Sequence, residues 1–403
     1  MSNPNIKTLL VIGNGFDLAH ELKTKYIDFL DFINGKRRIH IKTYIDEKMV
    51  KRDNLENNSD NPHLLPHLLS VIDENKKFRE NLQNMYWREV SNNNKNIKFI
   101  NEKHFTIQQK LSNNELKLED ILDYILNFGN IWIDYFNEIV SRKIRSIGEN
   151  WVDFEKEIEN SIQNIEKIIL GEKIDDEDLH YIINDYDRIP IKIIVQEYIP
   201  RLSWDLEILT LAFEFYLIEV TNNIQHKHLT IIDNLSEVSA IISYNYSNIW
   251  KQVYDPKETV KPYFIHGELG KHNLILGIGE TLSENLENQI TECASFKKFF
   301  QRVKHRLGNE YRRIANMDFG KHYKWQIIIY GHSLDPTDKE SLLWLLSKST
   351  RFQTPVDSIN IYYYNEKAYN QQIANAIQII GKNTLIDDVN SERIIFKPII
   401  NYK

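Results

Sequence analysis

The chain has 403 residues, 42% of them hydrophobic and 27% charged, with a formal net charge of −7. That length suits one large or two interleaved domains, and the acidic balance argues against a dominant nucleic-acid surface. One cysteine, Cys293, excludes an intrachain disulfide framework and a multi-cysteine zinc site. No apolar run approaches the roughly 18 residues of a membrane span, and the opening Met-Ser-Asn-Pro-Asn lacks a charged-then-apolar leader pattern. A cytoplasmic protein without membrane association is expected.

The first element is the run Leu9-Leu10-Val11-Ile12, which leads straight into Gly13-Asn14-Gly15-Phe16-Asp17. A short apolar run bounded by glycines predicts a strand buried on both faces, as in a parallel sheet. The glycines permit a tight turn and close backbone approach to a ligand, and a following helix would aim free N–H groups at an anion. A full dinucleotide fingerprint needs a third glycine at position 18, where the chain has Leu18. Apolar residues at Leu18, Leu22, Tyr26, Phe29 and Leu30 predict a helix over Leu18–Phe32.

Residues 34–105 are polar and irregular, which predicts an insertion carrying loops, including Lys51–Pro62, with helical pieces at Leu64–Ile72 and Glu80–Val90. Residues 105–230 carry helical stripes: Ile121, Ile125, Trp132 and Phe136; then Phe154, Ile158, Ile162 and Ile165; then Leu206, Leu209, Phe213 and Leu217. After Ser239, strand-like runs occur at Ala240–Ser243, Tyr263–Ile265, Leu274–Leu276, Gln326–Tyr330 and Ser358–Tyr364. Helical stretches at Glu284–Gly308, Lys339–Lys348 and Glu366–Ile380 separate some of them. The alternation predicts an α/β fold of Rossmann type with a parallel sheet. Its core would comprise residues 1–35 and 239–403, with a mostly helical insertion over 36–238.

Ligands of open α/β sheets bind beyond the carboxyl ends of the strands. Five such ends carry polar residues: Gly13–Asp17, Ser243–Asn248, His266-Gly267-Glu268, Gly331–Asp335 and Asn365-Glu366. The segments GNGFDLAHELKTKYIDF, SYNYSNIW, FIHG, LILGIG and YGHSLDPTD resemble the AbiH abortive-infection family of bacterial antiphage proteins. That family in turn resembles the sirtuin-like NAD-binding fold.

The resemblance implies NAD as substrate or ligand. Gly13, Gly15 and Phe16, with Asn14 between them, match the glycine-rich turn that holds the phosphates. Asn245, with Ser243 before it, matches an asparagine that positions the nicotinamide ribose or water. His266 matches the active-site histidine, Gly331 and Ser333 the adenosine-side turn, and Asn365 a ribose-binding asparagine. Asp17 belongs to the AbiH pattern. Ser247 and Tyr244 depart from the sirtuin pattern, which has aspartate and glutamine there. A single cysteine, where sirtuin deacetylases hold zinc with four, argues against protein deacetylation.

Nicotinamide–ribose cleavage passes through a positively charged ribose and needs a group orienting water, a base near neutral pH and screening of the charge. Asn245 and His266 suit the first two tasks, and Asp17 or Glu155 the third. The expected function is an antiphage effector that hydrolyses NAD to ADP-ribose and nicotinamide when activated. A sensor that binds NAD or a derived nucleotide without turnover, signalling through a partner, is the alternative. Homo-oligomerisation or a phage-derived trigger would supply the activation.

Rival chemistries fare worse. Gly331-His332-Ser333-Leu334-Asp335 resembles a nucleophile elbow, but Asp335 replaces its last glycine and no histidine follows His332. His226 and His228 do not form a metal motif, so no metal is expected. The basic stretch Lys297–Arg313 predicts a solvated helix face.

Overall fold

The computed structural model describes residues 5–57, 97–142, 151–174, 179, 182–183, 189–222, 227–235, 237–279 and 292–399. The expected helices Leu64–Ile72 and Glu80–Val90 lie outside these residues, as does the start of the stretch expected to be helical from Glu284. Six strands form one sheet: β1 (Asn5–Ile12), β2 (Val238–Ser243), β3 (Tyr263–Phe264), β4 (Tyr323–Tyr330), β5 (Val356–Tyr363) and β6 (Ile394–Pro398). Their order is β3-β2-β1-β4-β5-β6, and every pairing is parallel. This is the strand order of the Rossmann fold, whose crossovers reverse direction between β1 and β4.

Successive residues of a strand face opposite sides of the sheet. Leu9, Val11, Ala240, Ile242, Ile327, Ile329 and Ile359 therefore enter one apolar layer, while Leu10, Ile12, Ile241 and Ile328 enter the other. The first layer is covered by helices Lys339–Leu346, Glu366–Ile380 and Lys382–Asn390, which contribute Leu342, Leu345, Ile379 and Leu385. The second is covered by Phe16, Ile232, Ile249, Trp250 and Val253. Burial on both faces explains why the strands read as near-continuous apolar runs.

The helices used below are α1 (Asn14–Ala19), α2 (Tyr26–Asn57), α3 (Ile97–Ser112), α4 (Leu118–Phe128), α5 (Ile131–Arg142), α6 (Trp151–Ile169), α7 (Ile199–Thr221), α8 (Lys298–Lys304), α9 (Lys339–Leu346), α10 (Glu366–Ile380) and α11 (Lys382–Asn390). Several depart from expectation. The helix expected over Leu18–Phe32 is two helices, because the chain turns at Glu21 with φ +64° before α2 begins at Tyr26. α2 then continues to Asn57, through residues expected to be irregular loop. Its second half carries few apolar residues, Ile41 being buried with Tyr44 and Ile45 packed against it, so the periodic stripe is faint.

Leu274–Leu276 is buried but joins no strand ladder. Gln301 takes the place of a neighbouring strand: its Oε1 accepts from the Leu276 N–H at 3.1 Å, and its Nε2 donates to the Leu276 carbonyl at 2.9 Å. The stretch 292–308 is a 3-10 turn (Glu292–Phe296) followed by the short α8, not one long helix. β6 was not anticipated; Ile394-Ile395-Phe396 is a short run between polar residues.

Contacts divide the chain into two compact units, Met1–Lys25 with Gly148–Asp175 and Phe213–Lys403, and Tyr26–Ile147 with Asp176–Ala212. The division expected from sequence assigns Tyr26–Gly35 to the sheet core, and α6 and Phe213–Val238 to the insertion. The contacts assign them the other way. Glu155 of α6 bonds Lys298 in the sheet unit, which explains why α6 belongs with it.

The second unit is all helical among the described residues. Trp132 is fully buried, its Nε1 donating to the Leu202 carbonyl at 2.8 Å. Asn130 caps α5, accepting from the Ile133 N–H at 3.1 Å and donating to the Asp205 carbonyl at 2.7 Å. Asp205 accepts from the Ile131 N–H and pairs with Arg201, so its buried charge is compensated.

Candidate active site

The site sits where β1 and β4 end side by side. Ile12 is in register with Tyr330, which makes Gly13 and Gly331 neighbours. Gly331 has φ +71°, and a Cβ there would lie 2.3 Å from the Phe16 nitrogen. A Cβ on Gly13 would lie 2.7 Å from the Gly331 oxygen. The glycines that the sequence aims at a ligand thus allow two turns to touch each other. The Gly15 N–H donates to the Gly331 carbonyl and the Phe16 N–H to that of Gly13, both at 2.8 Å. These two donors are therefore already used.

Phe16 is fully buried against His20, Tyr254 and Tyr330, below the edge rather than facing out of it. Asn14 accepts from the Thr24 hydroxyl at 2.8 Å, which fastens the segment between α1 and α2.

One turn of α1 further on, Asp17 points into the interior. Its Oδ1 accepts from Asn245 Nδ2 and its Oδ2 from Ser247 Oγ, both at 2.7 Å. Burial pushes the Asp17 carboxyl up to about 7, against the opposing pull of the Ser247 and Asn245 hydrogen bonds. The Ser247 hydroxyl thus meets a carboxylate brought by α1. Ser243 shapes the loop: its Oγ lies 3.0 Å from the Asn245 carbonyl and 3.2 Å from the Asn245 nitrogen. With Nδ2 committed to Asp17, Asn245 Oδ1 is left buried without a hydrogen-bond partner.

A second cluster lies along the same edge. His266, two residues beyond β3, places Nε2 2.8 Å from Asp338 Oδ1. Lys298, at the start of α8, lies 2.9 Å from Glu155 Oε2, 3.4 Å from Asp338 Oδ1 and 3.4 Å from Thr337 Oγ1. His332 Nδ1 accepts from the Leu334 N–H at 2.9 Å, so its Nε2 carries the proton and faces Asp338 Oδ2 at 3.6 Å. The Tyr244 ring packs 4.1 Å from His332 and 5.7 Å from His266. Since Tyr244 directly precedes Asn245, the two clusters are joined through one loop.

The electrostatics separate the carboxyls. Burial would raise Asp338, but Lys298 and His266 hold it well below its ordinary value. Burial pushes Glu155 up to about 7 despite Lys298 beside it. Burial opposes the charge on Lys298, yet Asp338 and Glu155 raise its pKa further. Asp338 and Lys298 are thus held in their charged forms, while burial favours the protonated form of Glu155. Two acids driven apart by their surroundings form a common acid–base arrangement. Burial lowers His266, with Asp338 pulling the other way. Burial thus favours the neutral ring, in which Nε2–H donates to Asp338 and Nδ1 is the basic nitrogen.

Of the residues singled out from sequence, Asp17, Asn245 and Ser243 meet directly, and His266 joins them through the Tyr244 loop. Ser333 is exposed, and its carbonyl accepts from Asn375. Asn365 is exposed and caps α10, accepting from the Ala368 N–H at 2.8 Å. Sequence reasoning missed Asp338 and Lys298. Asp338 is the second acid of Asp335-Pro336-Thr337-Asp338, and only the first drew notice. Lys298 is the second residue of the basic stretch expected to be a solvated face; it is instead buried, while Arg302 and Arg312 of that stretch pair with Glu340. Among the described residues no three His, Cys, Asp or Glu side chains converge as a metal-ligating group.

A doubly wound parallel sheet with buried carboxyls and histidines gathered at its carboxyl edge defines this as an α/β protein of Rossmann type. The family model described as bacteriophage abortive infection AbiH matches residues 9–356, and the chain belongs to that family. Membership points to a role in abortive infection by bacteriophage. Comparison with curated proteins and with solved structures gave no match. No helix among the described residues is long and apolar enough to cross a membrane.

Proposed function

We propose that this protein is an abortive-infection effector that binds NAD at the carboxyl edge of the sheet and, once triggered, hydrolyses the nicotinamide–ribose bond. The products are ADP-ribose and nicotinamide. The observation that carries the reading is the pairing of a free buried acceptor, Asn245 Oδ1, with an Asp17 carboxyl whose pKa lies at about 7. An unsatisfied polar atom in so enclosed a place costs about 1–3 kcal/mol unless a ligand donor meets it. A ribose hydroxyl or the attacking water is such a donor.

As nicotinamide departs, the ribose gains positive charge, which the ionised fraction of Asp17 opposes. His266 Nδ1 takes the proton of the attacking water, and Asp338 stabilises the imidazolium through Nε2–H. Glu155 exchanges protons in the same range and is positioned by Lys298. Gly13, Gly15 and Gly331 hold the turns that set these side chains in place.

Infected cells test the reading. Cells carrying the wild-type protein lose NAD after phage infection, and cells carrying Asn245→Ala or His266→Ala keep it. Protection from phage with NAD undiminished would refute it. The second reading, a sensor that holds the nucleotide without cleaving it, is favoured by the depth of the site: Asn245 is 4% exposed and His266 9%.

A further inference from the structure

If the turn at the end of β1 uses its amides for its own packing, the charge of a nucleotide's phosphates must be met elsewhere. α1 is six residues long, and its Gly15 and Phe16 N–H groups bond Gly331 and Gly13. Around β3, between the segment that follows β2 and the turn after His266, lies a cleft of about 210 Å³. Asn248, Lys251, Phe264 and Glu268 line it, together with Lys261 and Lys271. Asn248 follows Ser247, which bonds Asp17, and Phe264 and Glu268 flank His266 at two residues' distance on either side. The cleft therefore adjoins both halves of the candidate site along the chain.

Its charges are not all compensated. Lys251 pairs with Glu258. Asp255 accepts from Thr259 Oγ1 at 2.9 Å and from the Val260 N–H at 2.7 Å, so both its oxygens are engaged. Among the described residues, Lys261, Lys271 and Glu268 have no ion-pair partner, and Asn248 Oδ1 is buried without a hydrogen bond. Two free ammonium groups suit phosphate oxygens. A free carboxylate suits vicinal hydroxyls, as the acidic residue of dinucleotide folds does for ribose. The volume falls below the roughly 300–1,000 Å³ of pockets that enclose a whole drug-sized ligand. It leaves room for part of a nucleotide rather than the whole.

We infer that this cleft is a sugar–phosphate subsite. Lys261 and Lys271 bind the phosphate of a nucleotide, and Glu268 and Asn248 accept from its ribose hydroxyls. The inference rests on the nucleotide reading above but names a different set of residues, so the two are separable. ADP-ribose and inorganic pyrophosphate are titrated calorimetrically into the full chain, at low and high salt. The proteins compared are wild type, Lys261→Ala with Lys271→Ala, and Glu268→Gln, with thermal melting as the check on folding.

The double lysine variant should bind ADP-ribose about tenfold or more weakly, with a flatter salt dependence. Glu268→Gln should weaken ADP-ribose binding and leave pyrophosphate binding unchanged. Failure of the wild type to bind ADP-ribose, or equal affinity in the double lysine variant, overturns the subsite. Loss of binding in the lysine variants with no NAD hydrolysis by the wild type would keep the subsite and remove the hydrolase. Hydrolysis with an unchanged KM in those variants would do the reverse.

Discussion

Asn245 donates its side-chain amide to Asp17 at 2.7 Å, joining two residues 228 positions apart at the ends of adjacent strands. The bond ties the acid of α1 to the asparagine of the loop after β2, and it leaves Asn245 Oδ1 buried without a hydrogen-bond partner.

Asp17 also sets a pH dependence of stability. Its folded-state pKa of about 7 exceeds the ordinary 3.8, so the folded protein holds this proton more tightly than the unfolded chain does. The contribution is present below the unfolded value, falls as pH rises through the window from 3.8 to 7, and is flat above it. Asp17→Asn should therefore gain stability relative to wild type on going from pH 5 to pH 8, on the order of 1–4 kcal/mol. Glu155 and Glu166, both raised to about 7, stay in both proteins and cancel in the difference. Urea unfolding at the two pH values measures it, and an unchanged difference would show that Asp17 titrates normally.

Asp338 fixes the tautomer of His266. In Asp338→Asn the amide can donate to Nε2, which moves the ring proton to Nδ1 and removes the base. Turnover should fall by about 10²–10⁴ with NAD affinity changed far less. A matched loss in kcat and in binding would mean that Asp338 merely holds the pocket together.

Lys298 neutralises two buried carboxyls. Lys298→Met leaves Asp338 and Glu155 facing each other without a cation, which should cost roughly 3–5 kcal/mol. The loss should be larger at pH 8, where Glu155 is ionised, than at pH 5, where it is protonated. Denaturation at both pH values reads this out; equal losses would contradict the assigned protonation.

Gly331 and Gly320 both have positive φ, but only Gly331 is crowded. Gly331→Ala brings a methyl against the Phe16 backbone and should cost about 3 kcal/mol or more. Gly320→Ala, with nothing within 4 Å of its Cβ, should cost only the backbone strain, roughly 1 kcal/mol. Comparable melting temperatures for the two variants would mean that the contact between the turns is soft.

How far the fold was legible depends on how strongly each segment buries. Leu9–Ile12 and Gln326–Tyr330 are central strands covered on both faces, so their runs of apolar residues announced a parallel sheet. Glu366–Ile380 is helical over the expected residues because Asn365 caps it and Gly381 follows. β6 is an edge strand of five residues and gives a weaker pattern. Leu274–Leu276 is as apolar as a strand, but Ile275 bonds the His266 carbonyl and the Tyr246 hydroxyl and Leu276 the side chain of Gln301, which no local pattern reveals.

For the site, residues directly beyond strand ends were legible because topology gathers strand ends. Lys298 and Glu155 were harder. Lys298 lies on a short helix beside exposed Phe299, Phe300 and Lys304, and Glu155 on a helix that also buries Glu159 and Glu166, so only tertiary contact singles these two out. Gly13 and Gly15 were read as places where the backbone approaches a ligand, whereas the close neighbour of each in the structure is the Gly331–His332 backbone.

The most direct measurement is nicotinamide release from NAD by the purified full chain, with and without lysate from phage-infected cells. Asn245→Ala and His266→Ala serve as controls. The account predicts stoichiometric nicotinamide and ADP-ribose from the activated wild type, and a loss of about 10² or more in rate for each variant. Intact NAD under every condition, with the nucleotide still bound, would contradict hydrolysis and leave a sensor in its place.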